Sequence, residues 1–235
     1  MGRDGAAPGQ GQFVTGSRFV AAKGQGVVGR IIIGDTCVAE GAAWLAATEP
    51  RFAHALRLTG PLPLRRTLDG FSAVLDAIVG QQVSVASARA IWSRMQAAGV
   101  TDQAGMATAS DDTLRAAGLS RQKARYGRAL AAAGIDFTAL RSAPTPDVIK
   151  TLIAVPGIGA WTAEIYVMFA LGRADVFAPG DLALQEAARM LFDLPARPTE
   201  KALRAQAQAW SPWQSVAARL LWAYYHVAKS REGIR

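Results

Sequence analysis

Asp181 closes the run F-A-P-G-D that begins at Phe177, and it opens the periodic segment L-A-L-Q-E-A-A-R-M-L. A carboxylate there can act simply as an N-cap, accepting from the first free amides of the helix. The same place also suits chemistry. The helix dipole and amide donors favour the anion, and the preceding Pro-Gly fixes its position, so a cation developing opposite it would be stabilised. Upstream, V-P-G-I-G from Val155 to Gly159 joins a helical segment, 146–154, to a second one starting near Ala160. Without Cβ atoms, Gly157 and Gly159 can take φ > 0 and bring backbone N–H groups close to a large anion at the second helix's N-terminus. A phosphodiester fits such a nest. The alternative reading is a tight turn between two helices and nothing more.

The rest of the chain must position these groups. Its 235 residues, 51% of them hydrophobic, can bury a core as one domain or two small lobes. Residues 1–27 are rich in Gly, Gln and Ala without apolar period and read as a disordered extension. The β-prone run from Val27 to Ile33 leads to Asp35, and from Ala39 the pattern is helical almost to the end, with about nine or ten helices. Thr145-Pro146 and Ser211-Pro212 place a hydroxyl at an N-cap and proline at the first helical position. Asp69, Ser84, Ser110, Ser120 and Thr199 are further caps, while Gly80, Gly118 and Gly172 sit where helices should stop. The fold class is therefore all-α.

A net charge of +8 favours a polyanionic partner. Cys37 is the single cysteine, which excludes an intrachain disulfide and an iron–sulfur cluster. With only His54 and His226, the composition also argues against zinc. No secretory leader or membrane-spanning run is present, so a soluble cytoplasmic protein is expected.

Taken together, these motifs resemble the helix–hairpin–helix (HhH-GPD) DNA glycosylases, in which L-P-G-I/V-G is followed by a helix and a Gly/Pro-rich loop ending in the catalytic aspartate. P-G-I-G-A-W-T-A, the upstream A-I-V-G-Q-Q-V-S-V-A from Ala77 to Ala86, and W-S-P-W-Q-S-V-A from Trp210 to Ala217 with Trp222 behind it are similar to the 3-methyladenine DNA glycosylase II branch. The resemblance covers roughly residues 39–229. It implies two helical lobes with the active-site cleft between them: 28–68 with 183–235 as the terminal lobe, and 69–182 as the central lobe carrying the hairpin unit 146–171. A well-studied bacterial member carries a β-rich N-terminal domain for which this chain leaves no room.

The implied reaction is hydrolysis of the N-glycosidic bond of a flipped-out nucleotide through an oxocarbenium-like sugar, with Asp181 stabilising the cation. Alkylation at N3 or N7 makes the purine a cationic leaving group that needs no general acid, in keeping with the shortage of histidine. Bifunctional members carry a lysine two residues past the second hairpin glycine; Trp161 stands there, and no strand cleavage is expected. Trp222, Trp161, Tyr166 and Gln82 are expected at the base pocket, where aromatic faces would select cationic bases. Gly157, Ile158, Gly159 and Thr162 are expected on the DNA backbone, and the carbonyls of Ile153, Val155 and Ile158 around a Na+ or K+ ion. The turn G-L-S-R presents Leu119, Ser120 and Arg121 as candidates to fill the gap left by the flipped base, with Arg125 and Arg128 continuing the basic face. The expected partner is double-stranded DNA with damaged bases, met by a monomer associated with the nucleoid and free of other cofactors. A uracil- or mismatch-directed glycosylase of this fold and a non-catalytic DNA-binding module are the alternatives. The module has no need of A-P-G-D.

Overall fold

The computed structural model describes residues 28–232. The expected extension 1–27 lies outside the described residues. The helices run α1 (Asp35–Thr48), α2 (Pro50–Thr59), α3 (Phe71–Gly80), α4 (Val85–Ala97), α5 (Gln103–Thr108), α6 (Asp111–Ala116), α7 (Arg121–Ala132), α8 (Phe137–Leu140), α9 (Thr145–Ile153), α10 (Ala160–Phe169), α11 (Leu182–Leu191), α12 (Glu200–Ala207) and α13 (Gln214–Glu232), with a 3-10 turn at Gln208–Trp210. The described residues thus hold thirteen α-helices rather than nine or ten. The excess lies in pieces such as α5 and α8, of six and four residues, too short to show a period. Asp102 and Asp136 cap them through their carboxylates.

Ser84, Ser110, Ser120, Asp181 and Thr199 each accept a backbone N–H at a helix start, as their positions in the sequence require. Three expected starts differ. Gly70 stands at the N-cap of α3, because Asp69 is held by Arg141 through two bonds of 2.7 and 3.0 Å. Thr145 begins α9 but makes no side-chain cap bond. Ser211 donates its hydroxyl to Asp175 at 2.7 Å, the Ser211–Pro212 peptide is cis, and α13 starts only at Gln214.

The helices pack in two groups. In one, α13 lies against α1, α2 and α11; in the other, α3 meets α4, α7 and α10, and α9 pairs with α10 across the hairpin. The run before α1 makes no strand, but Ile31 bridges Arg173 in antiparallel fashion, with Ile32 N donating to Gly172 O at 2.7 Å and Ala174 N to Arg30 O at 2.9 Å. This clamp fixes the loop between α10 and α11. Arg173 secures it further: fully buried, its guanidinium donates to the carbonyls of Val28, Leu140, Arg141 and Ala143. Charge-assisted bonds to carbonyls compensate for burying a cation.

Candidate active site

Asp181 stands at the mouth of α11, where the clamped loop delivers it. Gln185, one turn into α11 and buried, donates its amide to Pro179 O at 2.8 Å and so ties the Pro-Gly corner to the helix behind it. The carboxylate receives three donors. Leu184 N reaches Oδ1 at 3.0 Å as the cap bond, Trp222 Nε1 reaches the same oxygen at 3.2 Å, and Trp161 Nε1 reaches Oδ2 at 3.0 Å. A cap alone requires the first of these. The two indoles come from α13 and α10, so the carboxylate is fixed by three separate helices.

A cavity of about 570 Å³ opens in front of it. Trp161, Ile165 and Phe169, a stripe along α10, form one side; Trp222 and His226 on α13 form another; Arg65, Arg66 and Thr67 cross the rim. Trp222 is 8% exposed and packs on Phe169 at 5.8 Å with a tilt of 32°, whereas Trp161 is 41% exposed. Such a space matches one planar heterocycle with its sugar, and its walls are mostly apolar.

The rim segment between α2 and α3 is tethered from beneath. Arg219, buried on α13 one turn before Trp222, donates twice to Leu64 O at 3.2 Å, and also to Ser215 O and Oγ at 2.8 and 3.1 Å. Its guanidinium lies 4.8 Å from the Phe169 ring centroid. Burial, with Arg65 and Arg66 nearby, pushes it down to about 10. Thr67 N bonds Phe169 O at 3.1 Å, closing the segment onto the C-terminus of α10.

The structure unites Asp181, Trp161 and Trp222, and it places other expected pocket residues elsewhere. Tyr166 is buried, its hydroxyl accepting Gly70 N at 3.2 Å, and it lines a neighbouring cavity with Asp76 and Trp92 on the far side of Trp161. Adjacent helix positions face different ways, and Ile165 borders both cavities whereas Tyr166 does not reach the one before Asp181. Gln82 is exposed at φ 58 in the turn between α3 and α4 and does not line the Asp181 cavity.

At the hairpin, Gly157 takes φ +90, and a Cβ there would clash with the Tyr126 ring; Gly159 has φ −89 and open space around its Cβ direction. Left-handed freedom is therefore required at the first glycine only. Gln81, at the end of α3, donates to Gly157 O at 3.1 Å and braces the hairpin. Thr162 and Ile158 are buried, so their side chains reach no phosphate, and the Ile158 amide is already spent on Val155 O at 3.1 Å. Ser120 Oγ is occupied as the cap of α7.

Leu119 departs from expectation most. It is 6% exposed in the core, its N–H bonded to Leu114 O at 3.0 Å, because Gly118 at φ +97 turns the chain inward after α6. It cannot present a wedge from there. Arg121 and Arg125 are exposed along a groove of about 470 Å³ that also holds Arg128, and Arg128 is paired with Asp111 at 2.6 Å. Apolar side chains that do stand out beside the cleft are Leu68 on the rim segment and Leu182 next to Asp181. The sequence reading missed His226, Gln185, Arg219 and the rim arginines. Only the spacing from Asp181 and Trp222, one helical turn in three of the cases, pointed to them.

A helix–hairpin–helix fold carrying an aspartate at the end of a clamped loop, set between two indoles, defines a class. The model of the HhH-GPD superfamily of base excision DNA repair proteins matches residues 75–212, more than half of the chain, and the chain belongs to that superfamily. Within it, YfjP of Bacillus subtilis is 34% identical over 113 residues, 46% of this chain and 39% of YfjP. DNA-3-methyladenine glycosylase 2 of Escherichia coli is 31% identical over 176 residues, 68% of this chain and 60% of the relative. The chain thus spans less than two thirds of the length of either curated relative. A crystal structure of a DNA-3-methyladenine glycosidase from Bacillus halodurans superposes with a TM-score of 0.72 at 32% identity, covering 81% of this chain and 91% of that one.

Proposed function

We propose that the protein is a monofunctional DNA glycosylase that hydrolyses the N-glycosidic bond of alkylated purines of the 3-methyladenine and 7-methylguanine type in duplex DNA, the first step of base excision repair. The observation that carries this is the carboxylate of Asp181, held by two indole N–H groups and one amide at the edge of an aromatic cavity. Its three donors leave the anion oriented before substrate arrives, so it needs no reorganisation when the sugar acquires positive charge. The cationic base stacks on Trp222 or the face of Trp161, where a ring quadrupole attracts charge. As C1′–N9 breaks, the electron pair leaves with the alkylated purine, which becomes neutral. Asp181 stabilises the oxocarbenium ion until water adds at C1′. Trp161 occupies the place of a Schiff-base lysine, so the abasic strand stays intact.

The hairpin amides of Gly157 and Gly159 anchor a phosphate, and the exposed Arg121 and Arg125 extend the contact. Among the described residues, the carbonyls of Ile153 and Ile158 take no backbone partner, while Val155 O accepts Ile158 N at 3.1 Å. That free acceptor capacity fits a Na+ or K+ ion held by the three carbonyls, which would add positive charge beside the phosphate. No helix among the described residues is long and apolar enough to cross a membrane. The reading takes the protein to work as a monomer on chromosomal DNA.

Duplexes each carrying one lesion, methylated adenine, 7-methylguanine or uracil, incubated with the protein and then treated with alkali, test this. The methylated duplexes should break only after alkali. If neither methylated base is released, or if strands break without alkali, the assignment is wrong.

A further inference from the structure

A second cavity of about 570 Å³ adjoins the one in front of Asp181, and the stripe of Trp161, Ile165 and Phe169 along α10 borders both. To its lining α3 supplies Asp76, α4 supplies Trp92, and α10 adds Tyr166. One end reaches Gly80, and the next residue, Gln81, donates to Gly157 O at 3.1 Å. That end therefore lies beside the hairpin, where the glycosylase reading puts the DNA backbone.

The two cavities differ in charge. Arg65 and Arg66 stand on the rim of the first, and the Asp181 carboxylate there already accepts three donors. Among the described residues, Asp76 is the only charged group lining the second, and its carboxylate makes no hydrogen bond or ion pair. Polar neighbours are engaged elsewhere: the Ser72 hydroxyl donates to Thr101 O at 2.7 Å, and the Tyr166 hydroxyl accepts Gly70 N at 3.2 Å. Burial raises the Asp76 carboxyl, as it does for an anion without a partner. A planar cation would supply that partner, drawn by the charge of Asp76 and by the indoles of Trp92 and Trp161. An ordinary purine is neutral, and one alkylated at N3 or N7 is positive. This cavity can therefore weigh the property that separates the damaged base from its neighbours.

We propose that this second cavity is a holding site for the cationic purine, occupied between its extrusion from the duplex and its entry in front of Asp181; the inference rests on the glycosylase reading above. Asp76 meets the charge of the base and Trp92 its face. No bond is made or broken there. The base then passes along the stripe of Trp161, Ile165 and Phe169 into the reaction cavity, where Asp181 acts on the sugar. Asp76 and Trp92 thus govern how firmly an extruded cationic base is retained, and a neutral purine, attracted by stacking alone, falls back into the duplex.

Equilibrium binding to a duplex carrying 2′-fluoro-7-methyldeoxyguanosine tests this, because the fluorine destabilises the oxocarbenium ion and blocks release while the ring stays cationic at slightly acid pH. An abasic duplex, which has no base to hold, is the control. The full chain is compared with Asp76→Asn, Asp76→Lys and Ala77→Leu, the last of which fills the cavity and changes no charge. Asp76→Asn should weaken binding of the methylated duplex by about threefold to tenfold, the scale of one partly exposed charge contact, with a larger loss for lysine. Ala77→Leu should weaken it as well, and the abasic duplex should bind all four proteins alike. Wild-type affinity of Asp76→Asn for the methylated duplex, an equal loss on the abasic duplex, or an Ala77→Leu variant that binds as wild type would each overturn the proposal. Any of these beside normal release of 7-methylguanine from an unfluorinated duplex leaves the glycosylase reading standing. A wild type that releases no 7-methylguanine would end both.

Discussion

Asp181→Asn separates charge from geometry at the centre of the cleft. Asparagine caps a helix about as well as aspartate, so the bond from Leu184 N to Oδ1, 3.0 Å long, survives. The indoles decide the rest. An amide offers one acceptor oxygen, and with that oxygen turned to Leu184 and Trp222 its NH2 faces the Trp161 N–H, which now reaches Oδ2 at 3.0 Å. Trp161 is 41% exposed and can swing toward water. The structural cost is then about one hydrogen bond to a charged acceptor, ~2 kcal/mol. At roughly 2–4 °C per kcal/mol for a chain of this size, the thermal midpoint should fall by about 4–8 °C, with the fold retained. The chemical cost is larger. A carboxylate and an oxocarbenium ion ~4 Å apart at an effective dielectric of about 20 attract by about 4 kcal/mol. That corresponds to roughly a thousandfold in rate, at the upper end of the loss of about 10²- to 10³-fold on removing one preorganised stabiliser. Single-turnover release of 7-methylguanine, run beside a thermal melt and binding to an abasic duplex, checks this. Binding should persist or tighten, since an anion near the phosphates is gone. Excision within about threefold of wild type would refute the mechanism, because the effect required of the charge is far larger. A melt far below the expected window would reduce Asp181 to a structural cap.

Gly157→Ala should weaken binding to an abasic duplex, because φ +90 and the Tyr126 ring both resist a Cβ; an affinity equal to wild type in a folded variant would remove this strain from the interface. Leu119→Ala should lower stability by about 2–4 kcal/mol in urea melts, as a core truncation, with no preference for duplex over single-stranded substrate in its effect on excision. Replacing Arg121 and Arg125 by Ala should reduce the slope of log affinity against log salt by about one for each arginine that meets a phosphate, and an unchanged slope would take the groove out of the contact. Glu164 is buried against Arg204 at 2.9 Å, and burial raises its carboxyl despite that partner. A raised carboxyl gives stability that is complete below its unfolded value and is lost as pH rises through the folded one. The stability of wild type relative to Glu164→Gln should therefore decline between about pH 4 and neutrality, which urea melts at both ends would show.

What the sequence disclosed was local. Ser84, Ser110, Ser120, Asp181 and Thr199 cap helices because a short side chain can reach amides two or three residues on, and nothing distant competes for them. Asp69 and Ser211 carry the same signal and fail, since Arg141 and Asp175, far along the chain, take their side chains. Leu119 read as an exposed turn residue because its burial depends on Gly118 reversing the chain onto the core, and neither neighbour in sequence encodes that direction. The site divides in the same way. Asp181 and the hairpin lie in contiguous motifs, whereas Trp222, His226 and the rim arginines meet Asp181 only after α13 has packed beside α11. Ile165 borders the Asp181 cavity and Tyr166 does not, a difference of one residue's rotation on α10 that is finer than an apolar period can make.

Arg219 shows why the cleft is formed before DNA arrives. Burial pushes its guanidinium down to about 10 and so works against the charge, and among the described residues no carboxylate is bonded to it in return. A leucine or methionine at that place would fill the core more cheaply but could not hold Leu64. The carbonyls it engages set the path of the segment carrying Arg65, Arg66 and Thr67, and its cation lies against Phe169, the ring that backs Trp222. One buried cation therefore fixes the rim, one aromatic wall and, through Trp222 Nε1, one of the three donors to Asp181. A site that stabilises a developing charge gains only from groups already in place when that charge appears, and a costly group that immobilises both wall and rim supplies that condition.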